Sequence, residues 1–352
     1  MVEKNSAVES RQSSLSGTLE RRIQAPEKIP YPGEHLGLSW RRIQNADMPA
    51  IIELYREAGS GLIAGEDSSI EAFSEFLAAA LAAGAHADTL AGWNSAGEVK
   101  AFALVKVAED ALTELQAQIV GVVSDSWRGK GIGRTILEWQ DGRARQLLLA
   151  DGRDLPFAIC TQVDARNTER RRLLTAGGFS AKCRFTTFQR SLTAGDAYLG
   201  KAARESIAAK GYTLLPFSAE YDEELRRIFN RILISHSQRQ RQPLSETNWK
   251  IYRKRFSADN SLLLFQEGII IGYALCMPNQ EALVVKDFGV ERGMRDKSLE
   301  TELVLALIAN AISAEFSQLQ VEIGSEMKME ESFLSPFGFT PDTANIVYSI
   351  DL

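Results

Sequence analysis

At 352 residues the chain is long enough for two domains that each bury a core, and its composition, 45% hydrophobic and 24% charged, is that of a globular protein. The net charge of -6 excludes a general nucleic-acid binder, because neutralising phosphates needs a basic surface. No apolar run approaches the ~20 residues that span a bilayer, and scattered Cys160, Cys183 and Cys276, with His35, His86 and His236 at no ligand spacing, argue for reduced thiols, a cytoplasmic location and no metal.

Residues 1–35 contain no apolar signal core and read as a flexible leader. From Leu36 the pattern alternates like a strand and then turns helical, with Asp47 at an N-cap and Pro49 in the first turn. Further apolar helical pattern follows, ending near Ala83, and residues 88–107 read as a hairpin turning at Gly97. A strand over 114–123, a glycine-rich loop over 128–133 and a helix over 133–149 come next. Residues 157–163 form a buried-type strand, 167–176 a short helix closed by Gly177 and Gly178, and 179–192 a last β segment.

Residues 193–210 read as a helical connector, after which the same order runs again. Strand and helix fall over 211–232, a hairpin turning at Gly268 over 261–277, a strand over 281–290, a helix over 301–316 and a closing Gly338-Phe339 that matches Gly178-Phe179. A period this long marks a duplicated domain rather than a solenoid unit. The expectation is an α/β protein of two tandem domains, 36–192 and 211–352.

The loop in the first copy, "RGKGIG", joins a strand to a helix, which is a device for holding phosphate. The first amides of a helix lack intrahelical partners, the helix dipole adds positive potential, and glycines let the backbone close on an anion. It lacks the Gly-Lys-Ser/Thr ending of a P-loop and the spacing of a dinucleotide fingerprint. In this setting Arg128, Gly131 and Gly133 resemble the Arg/Gln-x-x-Gly-x-Gly/Ala signature of the GNAT acyltransferase superfamily, and Asn167 with Gly178-Phe179 partly meets a second pattern of that family.

The resemblance covers nearly the whole chain twice, as in tandem GNAT proteins similar to mycothiol synthase. It implies two mixed, mostly antiparallel twisted sheets flanked by helices, with acetyl-CoA as co-substrate. By the same resemblance the backbone of Arg128, Gly129, Lys130, Gly131, Ile132, Gly133 and Arg134 would hold the pyrophosphate, Val122 and Val123 would pair with the pantetheine arm, and Asn167 would complete the cofactor site. An amine would attack the thioester directly, which requires a base, donors for the thioester oxygen and a proton for the leaving thiolate. The tyrosine expected to supply that proton is Leu174 here.

Glu114, Gln116 and Gln118 share one strand face, and Glu114 stands about where some family members keep a carboxylate base. Arg166, Arg170, Arg171 and Arg172 form a cluster suited to the 3′-phosphate of CoA. The second loop keeps only Arg295 of the motif. Asp296, Ser298 and Glu300 replace its glycines, and Met327 takes the place of the asparagine, so this copy is not expected to bind CoA. On the analogy with the tandem proteins, His236, Arg239, Trp249 and Tyr252 would face the acceptor. The functions in view are an N-acetyltransferase acting on a small-molecule or peptide amine, a non-catalytic CoA-binding sensor or scaffold, and a purely structural tandem fold. No nucleic-acid or membrane partner is expected, and monomer and homodimer stay open.

Overall fold

The computed structural model describes residues 19–58, 70–108, 111–235, 243–291, 293, 297–325 and 334–352. The chain divides into two compact units, Met1–Lys182 with Asn345–Leu352, and Cys183–Ala344. In chain order the elements are α1 over residues 19–23, β1 (Ser39–Arg41), α2 (Met48–Glu57), α3 (Ile70–Ala82), β2 (Ala87–Trp93), β3 (Val99–Val107), β4 (Leu115–Val123), α4 (Ile132–Asp151), β5 (Phe157–Asp164), α5 (Thr168–Ala176) and β6 (Ser180–Ser191). They continue as α6 (Ala197–Ala209), β7 (Thr213–Pro216), α7 (Asp222–Ser235), α8 (Glu246–Arg253), β8 (Leu262–Gln266), β9 (Ile269–Asn279), β10 (Ala282–Val290), α9 (Lys297–Ser313), β11 (Gln318–Gly324) and β12 (Thr340–Asp351).

In the first unit β1 to β5 lie side by side in sequence order, antiparallel except for the parallel pair β4 and β5. Alternation along β4 feeds two cores. Leu115, Ala117 and Ile119 pack with α4 and α5 on one face, whereas Val120 and Val122 pack with α2 and α3 on the other. The second unit repeats this plan. Strands β7 to β10 are antiparallel in order, β10 and β11 are parallel, and the sheet is covered by α6 and α9 on one face and by α7 and α8 on the other.

Each parallel pair is in register over only four residues. Leu115 to Gln118 pair with Phe157 to Cys160, and Ala282 to Val285 pair with Gln318 to Val321. Past those positions the two strands part, so each unit has a gap in the middle of its sheet that opens toward the loop after β4 or β10.

Three features differ from the sequence expectation. The two sheets exchange their last strands: residues 345–351 of β12 pair with β5, and residues 185–191 of β6 pair with β11. The continuous boundaries 36–192 and 211–352 therefore give way to interrupted ones. Both strands alternate, and alternation records that one face is buried, not which sheet does the burying. Next, the segment read as a flexible leader is built into the first unit from residue 19 onward. Leu19 and Ile23 are in its core, the Arg22 guanidinium lies over the Phe157 ring and pairs with Asp154, and Pro26 and Ile29 press so closely on Gly142 that a Cβ there would sit 3.2 Å from both.

The connector is the third difference. Its helix α6 belongs to the second core through Ala203 and Ile207. A Cβ on Gly200 would stand 2.7 Å from the Ala309 amide nitrogen, so the glycine is what lets α6 and α9 approach. Asp47 also acts differently from a simple N-cap. Its carboxylate accepts the Gln44 amide and pairs with Arg41 at 2.6 Å, tying β1 to the start of α2.

Candidate active site

The loop after β4 turns on two glycines in the left-handed region, Gly129 at φ 76° and Gly131 at φ 86°. A Cβ at either would meet no atom within 4 Å, so the glycines are required by backbone conformation, not by crowding. Gly131 is the N-cap of α4 and offers no side-chain cap. Amides of residues 129–133 donate to no backbone carbonyl among the described residues, and the first helical bonds run from Arg134 and Thr135 back to the Gly131 carbonyl. A row of free donors at the positive end of a 20-residue helix is an anion site in waiting.

These amides face a cavity of about 670 Å³ that runs from the loop along the open stretch of β4, from Ile119 to Val123, to Asn167 and α5. Val122, Val123, Arg128, Gly129, Lys130, Gly131, Gly133, Arg134 and Asn167 all line it; Ile132 is turned into the core instead. Trp127 packs beside the loop against Gly37, and the Lys130 ammonium lies 4.1 Å from the centre of its ring. Asn167 is the N-cap of α5, its Oδ1 accepting the Arg170 amide at 3.0 Å. Leu174 lines the cavity where a proton donor was looked for.

Glu114, the expected base, is not at this cavity. It precedes β4 at the end where β4 and β5 are still in register, and it accepts a hydrogen bond from the Gln116 amide. The β4 contribution to the cavity begins at Ile119, five positions on, or ~16 Å at 3.3 Å per residue. Gln116 and Gln118 are not in the lining either.

The arginine cluster disperses because successive helical residues point about 100° apart. Arg166 pairs with Asp164, Arg171 bonds to Tyr348 Oη and the Ala165 carbonyl, and Arg172 is exposed. Only Arg170 enters the cavity, where Nη1 donates to the Gly121 carbonyl and Nε is shut off from solvent without a hydrogen-bond partner. Burial pushes its pKa down to about 10, with nearby Tyr55 favouring the charge and Arg128 opposing it. Gln140, unnoticed in the sequence, sits behind the same strand. Its amide donates to the carbonyls of Leu104 (3.0 Å) and Val120 (2.8 Å), and a Cβ on Gly121 would lie 3.1 Å from its oxygen.

The second unit treats the same features differently. Arg295, Asp296 and Met327 lie outside the described residues, but Ser298 and Glu300 are already within α9, where the first copy still has Gly131 as a left-handed N-cap. Lys210 from the end of α6 donates to Ser298 Oγ and pairs with Glu302 at 2.9 Å, placing a cation of the protein's own at that helix end. One step past the paired register, where the first gap has Ile119 and Thr161, the second has Lys286 and Glu322 joined at 2.6 Å. That ion pair stitches the gap. Sequence reasoning missed it because the partners are 36 positions apart.

Trp249 and Tyr252, expected at the acceptor side, belong to the second unit's packing. Trp249 is buried, with its indole N–H on Asp222 at 3.1 Å, and Tyr252 packs edge-on to Phe256. His236 and Arg239 lie outside the described residues. Among the described residues no His, Cys, Asp and Glu group is placed to hold a metal ion, and no helix is long and apolar enough to cross a membrane.

No family model and no curated protein matches the sequence. Solved structures do match in fold. A GCN5-related N-acetyltransferase from Sphaerobacter thermophilus superposes with a TM-score of 0.64 at 15% identity, over 92% of this chain and 97% of that one. A tandem GNAT protein from the clavulanic acid biosynthesis pathway gives 0.56 at 14% identity, over 89% and 98%. N-myristoyltransferase from Saccharomyces cerevisiae, solved with bound myristoyl-CoA, gives 0.55 at 12% identity, over 93% and 82%. The fold is that of the tandem GNAT proteins.

Proposed function

We propose that the protein is an acyl-CoA-dependent N-acyltransferase whose active site is the cavity of the first unit, with acetyl-CoA as the simplest donor and a small-molecule or peptide amine as acceptor. The observation that carries this reading is the run of unpartnered amides at residues 129–133, opening into a cavity that follows the unpaired stretch of β4. The fit to CoA is chemical as well as spatial. The amides and the positive end of α4 suit a pyrophosphate, Lys130 and Arg134 add charge, and the unpaired edges of β4 at Val122 and Val123 suit the amides of a pantetheine arm.

Under this reading the loop and the strand edge fix the thioester, and the amine attacks its carbonyl carbon. A C–N bond forms, the C–S bond breaks, the nitrogen gives up its proton to water, and the thiolate takes one from water, because Leu174 has none to give. Glu114 stands outside the cavity lining, so the proton is not routed through it. The second unit is read as non-catalytic, supported by the helical Ser298 and Glu300 and by the Lys286–Glu322 pair across its gap. A location in the cytoplasm is kept as part of the proposal.

Leu174 favours a second reading, a CoA-binding sensor that does not turn over. Calorimetric titration with acetyl-CoA, followed by thiol release against a panel of amines, separates the two. One site per chain with amine-dependent thiol release supports the enzyme; one site without release under any amine supports the sensor. No binding would reject both.

A further inference from the structure

Arg170 is hard to account for as a structural residue. A guanidinium has five N–H donors and keeps its charge at neutral pH even with a pKa near 10. Here Nη1 serves the Gly121 carbonyl, Nε has no partner, and no carboxylate pairs with it among the described residues. Nearby Tyr55 favours its charge, and Arg128, of the same sign, opposes it. Arg170 is half-buried with its Nε sealed from solvent, and a charge held so without a counter-ion is costly and is retained where a ligand supplies the missing half.

Its position narrows that ligand. Gly121 lies in the open stretch of β4, two residues from Val123 where the strand ends, and the cavity that Arg170 shares with it is lined by apolar Ile119, Leu173 and Leu174 as well as by Gln140, Asn167 and Glu169. The phosphate-binding features, the loop amides with Lys130 and Arg134, lie past the end of β4. A flat guanidinium with a spare donor, set apart from the phosphate-binding loop, suits a carboxylate, which it grips through two parallel bonds.

We propose that Arg170 recognises a carboxylate carried by a substrate in the cavity of the first unit, beside the open stretch of β4. This rests on the acyl-CoA reading above. Two sources have the required chemistry: the free end of a dicarboxylic acyl thioester, or the α-carboxylate of an amino-acid acceptor.

The full chain and its R170Q and R170K variants are titrated with CoA, acetyl-CoA and succinyl-CoA. In parallel, thiol release from acetyl-CoA is followed with glutamate and alanine against alaninamide. If the acyl group carries the carboxylate, the wild type binds succinyl-CoA about 30-fold more tightly than acetyl-CoA, the scale of a charge-assisted pair. That ratio collapses toward one in R170Q and is partly kept in R170K. If the acceptor carries it, KM for the free amino acid rises about 30-fold in R170Q and KM for alaninamide does not. Each readout is a ratio within one variant, so loss of folded protein does not imitate it. CoA binding with neither ratio dependent on residue 170 would overturn the inference alone. So would an equal weakening of CoA, acetyl-CoA and succinyl-CoA, which would make Arg170 a plain CoA contact. Failure of the wild type to bind CoA would overturn the acyl-CoA reading and this inference with it.

Discussion

Gly133→Glu, paired with Gly133→Gln, tests whether the first loop holds phosphate. Gly133 lies in the first turn of α4 among the free amides, and a Cβ there meets only the Leu173 methyl, at 3.3 Å, the movable end of a side chain. Glutamine and glutamate therefore share the same small packing cost and differ by one negative charge. At ~6 Å from a phosphate and an effective permittivity of ~20, that charge costs about 332/(20 × 6), or ~3 kcal/mol, per unit of phosphate charge. This is about a hundredfold in Kd. The Debye length of about 8 Å at physiological salt shrinks to about 3 Å at 1 M, so the penalty should fade with salt. Calorimetry with CoA at low and high salt should find one site per chain. Gly133→Gln should stay within ~5-fold of wild type, and Gly133→Glu should weaken by ~30- to 100-fold at low salt with most of the difference gone at 1 M. Equal losses for the two variants would refute the electrostatic argument, and two sites per chain would refute the assignment of binding to the first unit.

The stitched gap of the second unit makes another expectation. Lys286→Ile or Glu322→Thr alone strands a charge that is only 12–14% exposed and should cost about 2–4 kcal/mol in urea unfolding, while the double variant should recover most of that loss; additive losses would count against the pair. For Glu114→Gln, the pH–rate profile for thiol release should be unchanged and kcat should fall by less than ~3-fold, since the residue stands outside the cavity. Loss of the limb that reports the base would restore Glu114 to that role. Asp47 is held below the usual carboxylate range chiefly by its hydrogen bond to Arg41. A depressed carboxylate contributes stability above its unfolded pKa of about 3.9 and loses it as pH falls through the folded value. The stability gap between wild type and Asp47→Asn should thus be full at pH 7 and close below pH ~4; a gap that widens in acid would show the sign to be wrong.

The duplication, the glycine loop and nearly every helix were legible because each is a local signal: a period, a cap, a residue type that a positive φ demands. Gly129 and Gly131 show the strength of such signals, since their conformations, φ 76° and 86°, are what the glycines were there to permit. What was not legible is partnership across distance. Phe188 of β6 packs in the second core and Ile346 of β12 in the first, yet neither strand carries a mark of which sheet it joins. The run Arg170-Arg171-Arg172 reads in the sequence as one basic surface, yet neighbours in a helix point about 100° apart, so adjacency in the chain is not adjacency in space. Lys286 and Glu322 did leave a trace: each is the fifth residue of its strand, the first position past the paired register. Two opposite charges at matching depths of two parallel strands are a pairing that could have been read.

The contrast between the two gaps bears on why a chain keeps both. In the first, Arg170 Nε and Thr161 Oγ1 are buried without partners and the loop amides are unspent. A buried polar group left unpaired costs about 1–3 kcal/mol, so such a site is maintained at a loss of stability unless a ligand returns it. In the second, the same depth of the sheet holds an ion pair and the helix end holds Lys210, so those positions are satisfied from within the chain. Under the acyl-CoA reading, one copy has kept its polar groups open for a substrate, while the other has closed them; residues 345–351, which belong to the first unit, lie along β5. That strand gives a reason for retention that needs no second active site: β5 is one wall of the gap, and the wall is completed only by the far end of the chain.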